Sequence, residues 1–381
     1  MKSVFFVLIV FSVVGCQYLR SDKQTKNCCT SYLSKEAFQD TIDGEVTDLF
    51  VLKNNNGMSV SITNYGGRIV SLIVPDRDGK PTDVVVGMKS LMEYKNATEP
   101  YFGALIGRVG NRIAKGKFVL EGTEYSMDTN NGPNCLHGGY KGFQYVVWNV
   151  LNVNDSTLLL SCNSKDGEQG LPGNLKVEVE YMLTSANELT INYQGITDKA
   201  TPVNLTNHAF FNLNGEGKGT ILNHLLEIKA SSFTPVDSTL IPTGKIASLD
   251  GTVFDFRELT SIGYRIQQED EQLTYGLGYD HNYVLDKKEK DSFSLAAKVI
   301  GDISGVVMEV YTTEPGLQFY SGNFMQSKNT FKSGVQDDFR TAFCLETQHF
   351  PDAVNQANFP SIIKSPNTVF KSSSVYAFSV K

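Results

Sequence analysis

The run KVEVEYML (176–183) is separated by the tetrapeptide TSAN from a second run, ELTINYQGI (188–196). Apolar and polar residues alternate along both runs, which is the period-2 pattern of strands with one buried face. The four residues between them are short and polar, as a turn requires. Together the two runs predict an antiparallel β-hairpin.

The same alternation recurs on both sides of this hairpin. Further predicted strands are MSVSITNY (58–65), RIVSLIVP (68–75), KFVLEGTEYSM (117–127), VVWNVLNV (146–153) and STLLLSC (156–162). Helical patterns are confined to two short segments, 88–96 and 257–270. A glycine-rich dinucleotide or phosphate loop following a strand is absent from the sequence, as is a strand–helix alternation. The chain is therefore predicted to be all-β and antiparallel, folded as one large domain.

The composition is that of a soluble globular protein. The 381 residues include 34 Lys+Arg and 41 Asp+Glu, giving a net charge of −7, and 41% are hydrophobic. Nucleic-acid phosphates attract clusters of basic residues, so this charge balance gives no reason to expect nucleic acid as a partner. It is compatible with a neutral small molecule.

The N-terminus has the pattern of a secretion signal. Residues 1–15, MKSVFFVLIVFSVVG, carry one positive charge and an apolar run too short to span a hydrocarbon core of ~30 Å. The run ends in Val13-Val14-Gly15-Cys16, which resembles a bacterial lipobox. We expect a lipoprotein signal peptide over 1–15, lipidation of Cys16, a polar tether over 16–43 and a folded domain over 44–381. The alternatives are an ordinary cleaved signal and a cysteine placed there by chance.

This N-terminal pattern predicts a protein that is lipid-anchored in the cell envelope, on the periplasmic or the outer-membrane side, with no other membrane contact. The five cysteines after Cys16 are odd in number and scattered, which is a poor framework for disulfides. The adjacent pair Cys28-Cys29 lacks the spacing of a zinc or redox motif. Most of these thiols are expected to be buried or to lie in the tether.

Histidine is scarce, so its placement is informative. Three of the five histidines lie in polar strings next to glycine or asparagine: NCLHGG (134–139), NLTNHAFFNL (204–213) and GYDHNYVL (278–285). The second string crowds amides and His208 among leucine and phenylalanine, where every buried donor and acceptor needs a partner. An imidazole held in this way can transfer protons near neutral pH, although a structural role is the alternative. His224 stands alone in ILNHLLEI and is interpreted as structural.

The string AFCLETQHFPD (342–352) places a carboxylate, Glu346, at the centre of an apolar strand. Alternation puts Glu346 on the same face as Cys344 and Gln348. Burial of an unpaired carboxylate is costly and raises its pKa, which suits a general base. A structural ion pair is the alternative interpretation.

Other polar residues lie in glycine- and aromatic-rich strings. GRVGNRIAKG (107–116) carries Arg108, Asn111 and Arg112, PGLQFYSGNF (315–324) carries Gln318, and Asp280 follows a tyrosine. Amides, charged groups and imidazoles beside aromatic rings are the set that recognises a neutral polyol. The histidines and Glu346 lack the HExxH or H-x-H spacing of a transition-metal site, and a G-x-S-x-G nucleophile elbow is missing.

Taken in order, these strings resemble the aldose 1-epimerase (galactose mutarotase) family from about Gly44 to the C-terminus. The resemblance implies a large antiparallel β-sandwich with an open sugar-binding cleft, and it implies Glu346 as general base and His208 as general acid. It implies neither a metal nor another cofactor. It further implies a set of residues that bind the substrate: Asn111, Arg112, His137, Asp280 and Gln318.

The residue types suit the reaction of this family. Removal of the proton from the C1 hydroxyl and protonation of the ring oxygen open the hemiacetal, and rotation about C1–C2 followed by reclosure gives the other anomer. The family commonly has tyrosine two residues after the acid, where this chain has Phe210, so a hydroxyl facing the sugar is expected to be missing. A non-catalytic sugar-binding protein and a glycoside hydrolase are the alternative functions. The sequence indicates neither the preferred aldose nor the oligomeric state.

Overall fold

The computed structural model describes Met1 and residues 33–381, and most of the regular structure in this part of the chain is β-strand. In chain order, strands β1 to β28 are Asp40–Ile42, Glu45–Thr47, Leu49–Lys53, Ser59–Thr63, Arg68–Pro75, Pro81–Asp83, Leu105–Ile106, Arg112–Ile113, Lys117–Leu120, Thr123–Ser126, Cys135–Leu136, Asn149–Val153, Thr157–Ser164, Leu175–Leu183, Glu188–Thr197, Thr201–Pro202, Thr206–Asn207, Leu225–Ile228, Ala230–Phe233, Ala247–Ser248, Thr260–Ser261, Asp280–Leu285, Ser294–Ile300, Val306–Thr312, Gly316–Tyr320, Cys344–Gln348, Ile363–Lys364 and Phe370–Val380. The α-helices are α1 (Leu91–Asn96) and α2 (Glu271–Gly276). Short 3-10 turns cover Lys35–Phe38, Ala114–Gly116, Gly139–Lys141, Phe143–Tyr145, Glu168–Gly170 and Ile262–Tyr264.

The predicted hairpin lies in the middle of the largest sheet. Strands β14 and β15 pair antiparallel from Leu175↔Thr197 to Leu183↔Leu189, and alternate residues of β14 are buried. This sheet has nine strands in the order β12-β13-β14-β15-β28-β24-β23-β18-β21. All of its strand pairs are antiparallel, as the sequence predicted.

Two further sheets share a core with the nine-stranded sheet. Their strand orders are β20-β19-β22-β25-β26 and β3-β4-β5-β6. One hydrophobic cluster contains Val179 of the nine-stranded sheet, Tyr283 of the five-stranded sheet and Val60 of the four-stranded sheet. The prediction of an all-β, antiparallel sandwich is therefore confirmed.

Some local predictions need correction. The expected helix over 257–270 is wrong: Thr260–Ser261 pairs with β18, and the helix begins only after Asp270, whose side chain accepts hydrogen bonds from the backbone N–H groups of Gln272 and Leu273. The expected strand over 117–127 is a hairpin of β9 and β10, because Glu121 and Gly122 adopt positive φ and turn the chain.

The folded part of the chain extends to the N-terminal side of the boundary that we predicted at Gly44. Phe38 is fully buried in a hydrophobic cluster, and its carbonyl accepts a hydrogen bond of 2.8 Å from the Thr47 hydroxyl. Residues 33–43, assigned by prediction to the tether, thus include a 3-10 turn and β1. The predicted signal peptide, Cys16 and the rest of the tether lie outside the described residues.

Cys135, Cys162 and Cys344 are buried free thiols, as expected. Within the part of the chain that the structure describes, no helix is both long enough and apolar enough to cross a membrane.

Candidate active site

Three neighbouring strands of the five-stranded sheet supply polar residues to one face. Gln318 of β25 is paired with Glu346 of β26 on one side and with Asn282 of β22 on the other, and Asp280 lies two residues before Asn282. Because side chains alternate along a strand, these four residues point to the same side of the sheet. The strand register therefore converts three distant sequence strings into one polar surface.

Hydrogen bonds between side chains fix the orientation of the polar groups on this surface. The Gln318 side-chain amide donates to Asp280 Oδ1 over 2.7 Å. The Gln348 amide in turn donates to Gln318 Oε1 over 3.3 Å and to Asn282 Oδ1 over 3.2 Å. Both glutamines are buried; Gln318 orients Asp280 directly, and Gln348 orients Gln318.

His208 follows β17 and is held by its backbone. Its N–H donates to the carbonyl of Ala104 over 2.8 Å, and its carbonyl accepts from the N–H of Gly103 over 3.0 Å. The imidazole packs nearly parallel to the rings of Tyr101 and Phe210, with centroid separations of 5.7 and 4.9 Å. The ring therefore has little freedom to turn.

The strand and the histidine segment bring the two predicted proton-transfer groups together. His208 Nε2 lies 3.6 Å from Glu346 Oε1, and both side chains are almost completely buried. Among the described residues, His208 Nδ1 and Glu346 Oε2 have no hydrogen-bond partner. The two oxygens that exchange protons in a hemiacetal share one carbon, so an acid and a base this close can reach both.

A loop and a short strand pair supply the remaining predicted residues. The Asn111 N–H donates to His137 Nδ1 over 3.1 Å, and the His137 N–H donates to the Asn111 carbonyl over 2.9 Å. Both residues have positive φ, a strained backbone conformation for side-chain-bearing residues that is enriched at functional sites. Arg112 follows, and its guanidinium lies 4.0 Å from Asp280 Oδ2.

These elements surround an open cleft of about 790 Å³. Six of the seven predicted site residues line it: Asn111, Arg112, His137, His208, Asp280 and Glu346. Gln318 does not line the cleft and contacts it through Asp280. Glu99, Tyr101 and Tyr320 are among the lining residues that the sequence interpretation missed. The available signal was that Tyr320 lies within the string 315–324 and that Tyr101 lies six residues before the string 107–116.

Burial controls the electrostatics of the cleft. It raises the pKa of Glu346 well above the ordinary carboxyl range; the neighbouring charge of Asp280 adds to this rise, and that of Arg112 opposes it. Burial also lowers the pKa of His208 to about 3. The pKa of Glu99 is raised to about 8 by loss of hydration and by the charges of Asp337 and Asp280. The directions of these two shifts favour a protonated Glu346 and a neutral His208.

Phe210 does not occupy the position that we predicted for it. Its side chain is fully buried against His208, Phe102 and Tyr320, and it does not line the cleft. We expected the side chain at position 210 to face the sugar, and this expectation is wrong. Phe210 supports the imidazole instead.

Asparagines of the His208 string bind backbone groups. The Asn204 side chain accepts from the His349 N–H over 2.9 Å and donates to the His349 carbonyl over 3.1 Å. Its own backbone bonds to Arg108 and Gly110 over 2.9 and 2.7 Å. Asn204 thus connects the segment of His208 to the end of β26 and to the loop of Asn111.

The other three histidines do not line the cleft. His224 is fully buried, accepts from the Leu213 N–H and bonds to Asp302, which supports its structural interpretation. His281 is fully buried and accepts from the Asp280 N–H. His349 pairs with Glu314. Arg108 also points away, since it donates to Ser164 and to three backbone carbonyls.

The cleft also contains groups that could ligate a metal ion. One ligand atom from each of His137, His208 and Glu346 lies within 4.8 Å of the others. Two of them, His208 and Glu346, are the predicted proton-transfer groups, and His137 is a predicted substrate-binding residue.

A β-sandwich whose cleft holds a buried imidazole and carboxylate 3.6 Å apart, beside amide, guanidinium and carboxylate groups, defines a class of acid–base enzyme acting on polyhydroxylated molecules. Comparison with known proteins narrows this class. The family model described as aldose 1-epimerase matches residues 48–377. The chain therefore belongs to the aldose 1-epimerase family.

Individual relatives agree with this assignment. The chain is 44% identical to a galactose mutarotase of Sus scrofa over 91% of its own length and 99% of that protein. It is 37% identical to the aldose 1-epimerase of Escherichia coli strain K12, over 84% and 90% of the two chains. A crystal structure of an aldose epimerase homologue from C. elegans superposes with a TM-score of 0.81 at 30% identity, covering 88% of this chain and 99% of that one.

Proposed function

We propose that this chain interconverts the α and β anomers of aldohexoses such as glucose and galactose. Glu346 removes the proton from the C1 hydroxyl, and His208 protonates the ring oxygen, so that the ring opens to the aldehyde. Rotation about C1–C2 and reclosure complete the change of anomer. The observation that carries the proposal is the separation of 3.6 Å between His208 Nε2 and Glu346 Oε1 at the cleft.

Substrate positioning is assigned to residues around this pair. Arg112, Asn111 and His137 form one wall and Asp280 another, and we propose that they bind ring hydroxyls. Gln318 orients Asp280 near the anomeric end through the hydrogen bond of 2.7 Å. The names of the relatives, galactose mutarotase and aldose 1-epimerase, support an aldose as substrate.

Polarimetry on freshly dissolved α-glucose and α-galactose tests the function. Glu346→Gln and His208→Asn should each lower kcat by at least ~10²-fold, because each removes one positioned proton-transfer group. Glu124→Gln, a change of the same kind on an exposed hairpin, should leave the rate unchanged. If a variant folds, binds sugar and mutarotates at the normal rate, the replaced residue does not have the role proposed for it. Release of a sugar from a glycoside would favour a hydrolase, and sugar binding without mutarotation a non-catalytic protein.

We further propose that the chain is a lipoprotein of the cell envelope, anchored through Cys16 on the periplasmic or outer-membrane side. The support is the short apolar run that ends in Val13-Val14-Gly15-Cys16. Intact-mass analysis of membrane-extracted protein should show cleavage before Cys16 and a diacylglyceryl adduct. Cys16→Ala should release the protein from membranes, whereas Cys28→Ala should not. Unchanged membrane association of Cys16→Ala would contradict the proposal.

A further inference from the structure

A second cavity, of about 390 Å³, lies between β15, β27, β28 and the ends of β24 and β26. None of its lining residues lines the catalytic cleft. Its walls include Tyr193, His349, Lys364 and Phe370. We refer to it below as the Lys364 cavity.

The Lys364 cavity contains a buried hydroxyl that lacks a partner. The side chain of Tyr193 is only 3% exposed, and its hydroxyl makes no hydrogen bond to any described residue. Burial of an unsatisfied hydroxyl costs about 1–3 kcal/mol, so such groups in native proteins are normally paired with protein, water or ligand. The Tyr193 hydroxyl is therefore a buried donor that no described residue satisfies.

The cavity also contains a lysine whose ammonium group forms no direct ion pair. Lys364 is half-buried, and within residues 33–381 its ammonium group has neither a hydrogen bond nor an ion pair. Its nearest described interaction is with the ring of Phe370, 5.5 Å from the ring centroid. Burial lowers the pKa of Lys364, and the nearby charges of Glu314 and Asp291 oppose this shift.

The acidic group in the wall is already occupied. Glu314 accepts from Ser372 through Oε1, and its Oε2 lies 2.5 Å from His349 Nδ1. Burial alone would raise the pKa of Glu314, but His349, the Ser372 hydrogen bond and the charge of Lys364 together hold it below its usual value, so Glu314 is a carboxylate paired with the imidazole. Among the described residues, His349 Nε2 is left without a partner.

Counting charges around the cavity gives an excess of cations. Lys290, Lys364 and Lys371 line it together with the His349–Glu314 pair, and Asp291 is the only other acidic lining residue. The chain as a whole has a net charge of −7. A basic cavity in an acidic protein, with free N–H and O–H donors, is suited to an oxyanion, because charge-assisted hydrogen bonds are the strongest that it can form.

We propose that the Lys364 cavity is a second ligand site, separate from the catalytic cleft, which binds a small phosphate-type oxyanion, either free phosphate or the phosphoryl group of a phosphorylated sugar. Lys364 supplies the main charge, and the Tyr193 hydroxyl donates a hydrogen bond. The site does not depend on the proposed catalytic activity.

Thermal unfolding of the protein in graded inorganic phosphate tests this proposal, with an aldose 6-phosphate as a second arm and potassium chloride at equal ionic strength as a reference. A ligand that binds only the folded state raises Tm in a concentration-dependent way, from which Kd follows. Stabilisation by phosphate alone would identify the free anion, and stronger stabilisation by the sugar phosphate would identify a phosphorylated sugar. Stabilisation no greater than that by chloride in both arms would overturn the proposal.

Two variants locate the effect. Lys364→Met should weaken phosphate binding by about tenfold or more, since it removes a charged donor, while Lys245→Met, the same change at an exposed site, should not. Tyr193→Phe removes only the unpaired hydroxyl, so Tm without phosphate should be unchanged or higher while binding weakens several-fold. Tyr264→Phe at the surface is its matched control. Phosphate stabilisation that persists in both cavity variants would place the anion elsewhere and refute the site.

Discussion

Replacement of Asn204 by aspartate tests whether this residue holds the segments of His208 and Glu346 in their relative positions. The two side chains have the same shape, but the Asn204 amide donates to the His349 carbonyl over 3.1 Å while its oxygen accepts from the His349 N–H over 2.9 Å. An ionised carboxylate keeps the second bond and loses the first. It also places negative charge against the carbonyls of His349 and Gly110, the latter 3.4 Å from the Asn204 amide nitrogen.

The magnitude follows from burial. Asn204 is 3% exposed, so the lost bond leaves a buried carbonyl without its partner, at a cost of about 1–3 kcal/mol. Burial of the new carboxylate raises its pKa above the usual ~3.9, and each unit of that rise adds about 1.4 kcal/mol of destabilisation above the folded-state pKa. A protonated carboxyl can donate as the amide does. Because the folded state binds this proton more tightly, the penalty for Asn204→Asp should grow as the pH rises and shrink toward pH ~4.

Urea unfolding followed through Trp148, the single tryptophan, measures this difference at several pH values. The variant should also lose kcat more than it raises KM, since displacement of β26 moves Glu346 relative to His208 without removing a sugar contact. Asn152→Asp on exposed β12 is the matched control. A variant as stable as the original protein at pH 7, with unchanged kcat, would show that Asn204 does not hold these segments together.

Three other changes have defined outcomes. Because burial lowers the pKa of His208 to about 3, kcat/KM should not decline as the pH falls from about 6.5 to 5; a decline over this interval in a pH profile would contradict the assignment of His208. Phe210→Tyr should leave KM for glucose unchanged in steady-state kinetics but lower Tm, because its hydroxyl enters a fully buried aromatic cluster. Lys332→Met should lower the free energy of unfolding by about 3–5 kcal/mol in urea titrations, since it leaves the buried carboxylate of Glu216, 2.6 Å from the Lys332 ammonium, without its counter-ion; a loss below ~1 kcal/mol would contradict this.

Strand periodicity predicted the fold well wherever one face of a strand is buried. Arg68–Pro75 has the predicted bounds, and β14 and β15 differ from prediction by one residue each. The failures occur where a side chain or a turn overrides local pattern. The sequence pattern predicted a helix over 257–270, whereas the observed helix begins only after its N-cap residue, Asp270. No short-range pattern indicated that the segment before Gly44 packs into the core.

Candidate site residues were predictable where the chemistry is unusual for the local environment. Glu346 is a carboxylate in an apolar strand, and His208 lies in a string of amides; both signals are present in sequence. The expectation for Phe210 came from the family resemblance alone, and the structure buries this side chain against His208 and Phe102. Glu99 could not be found, because only the folded chain brings its carboxyl to the wall of the cleft near Asp280.

Burial of the catalytic pair also determines how the proton moves. Desolvation disfavours both charged forms, since it raises the pKa of Glu346 and lowers that of His208, and so favours a single proton on Glu346 over one on His208. The proposed reaction needs this proton on His208 instead, with Glu346 ionised. That form of the pair carries the same number of protons but is less populated. Ring opening transfers one proton to the sugar from His208 and one from the sugar to Glu346, and reclosure reverses both transfers. The pair therefore ends each turnover with the proton it began with, whichever anomer enters.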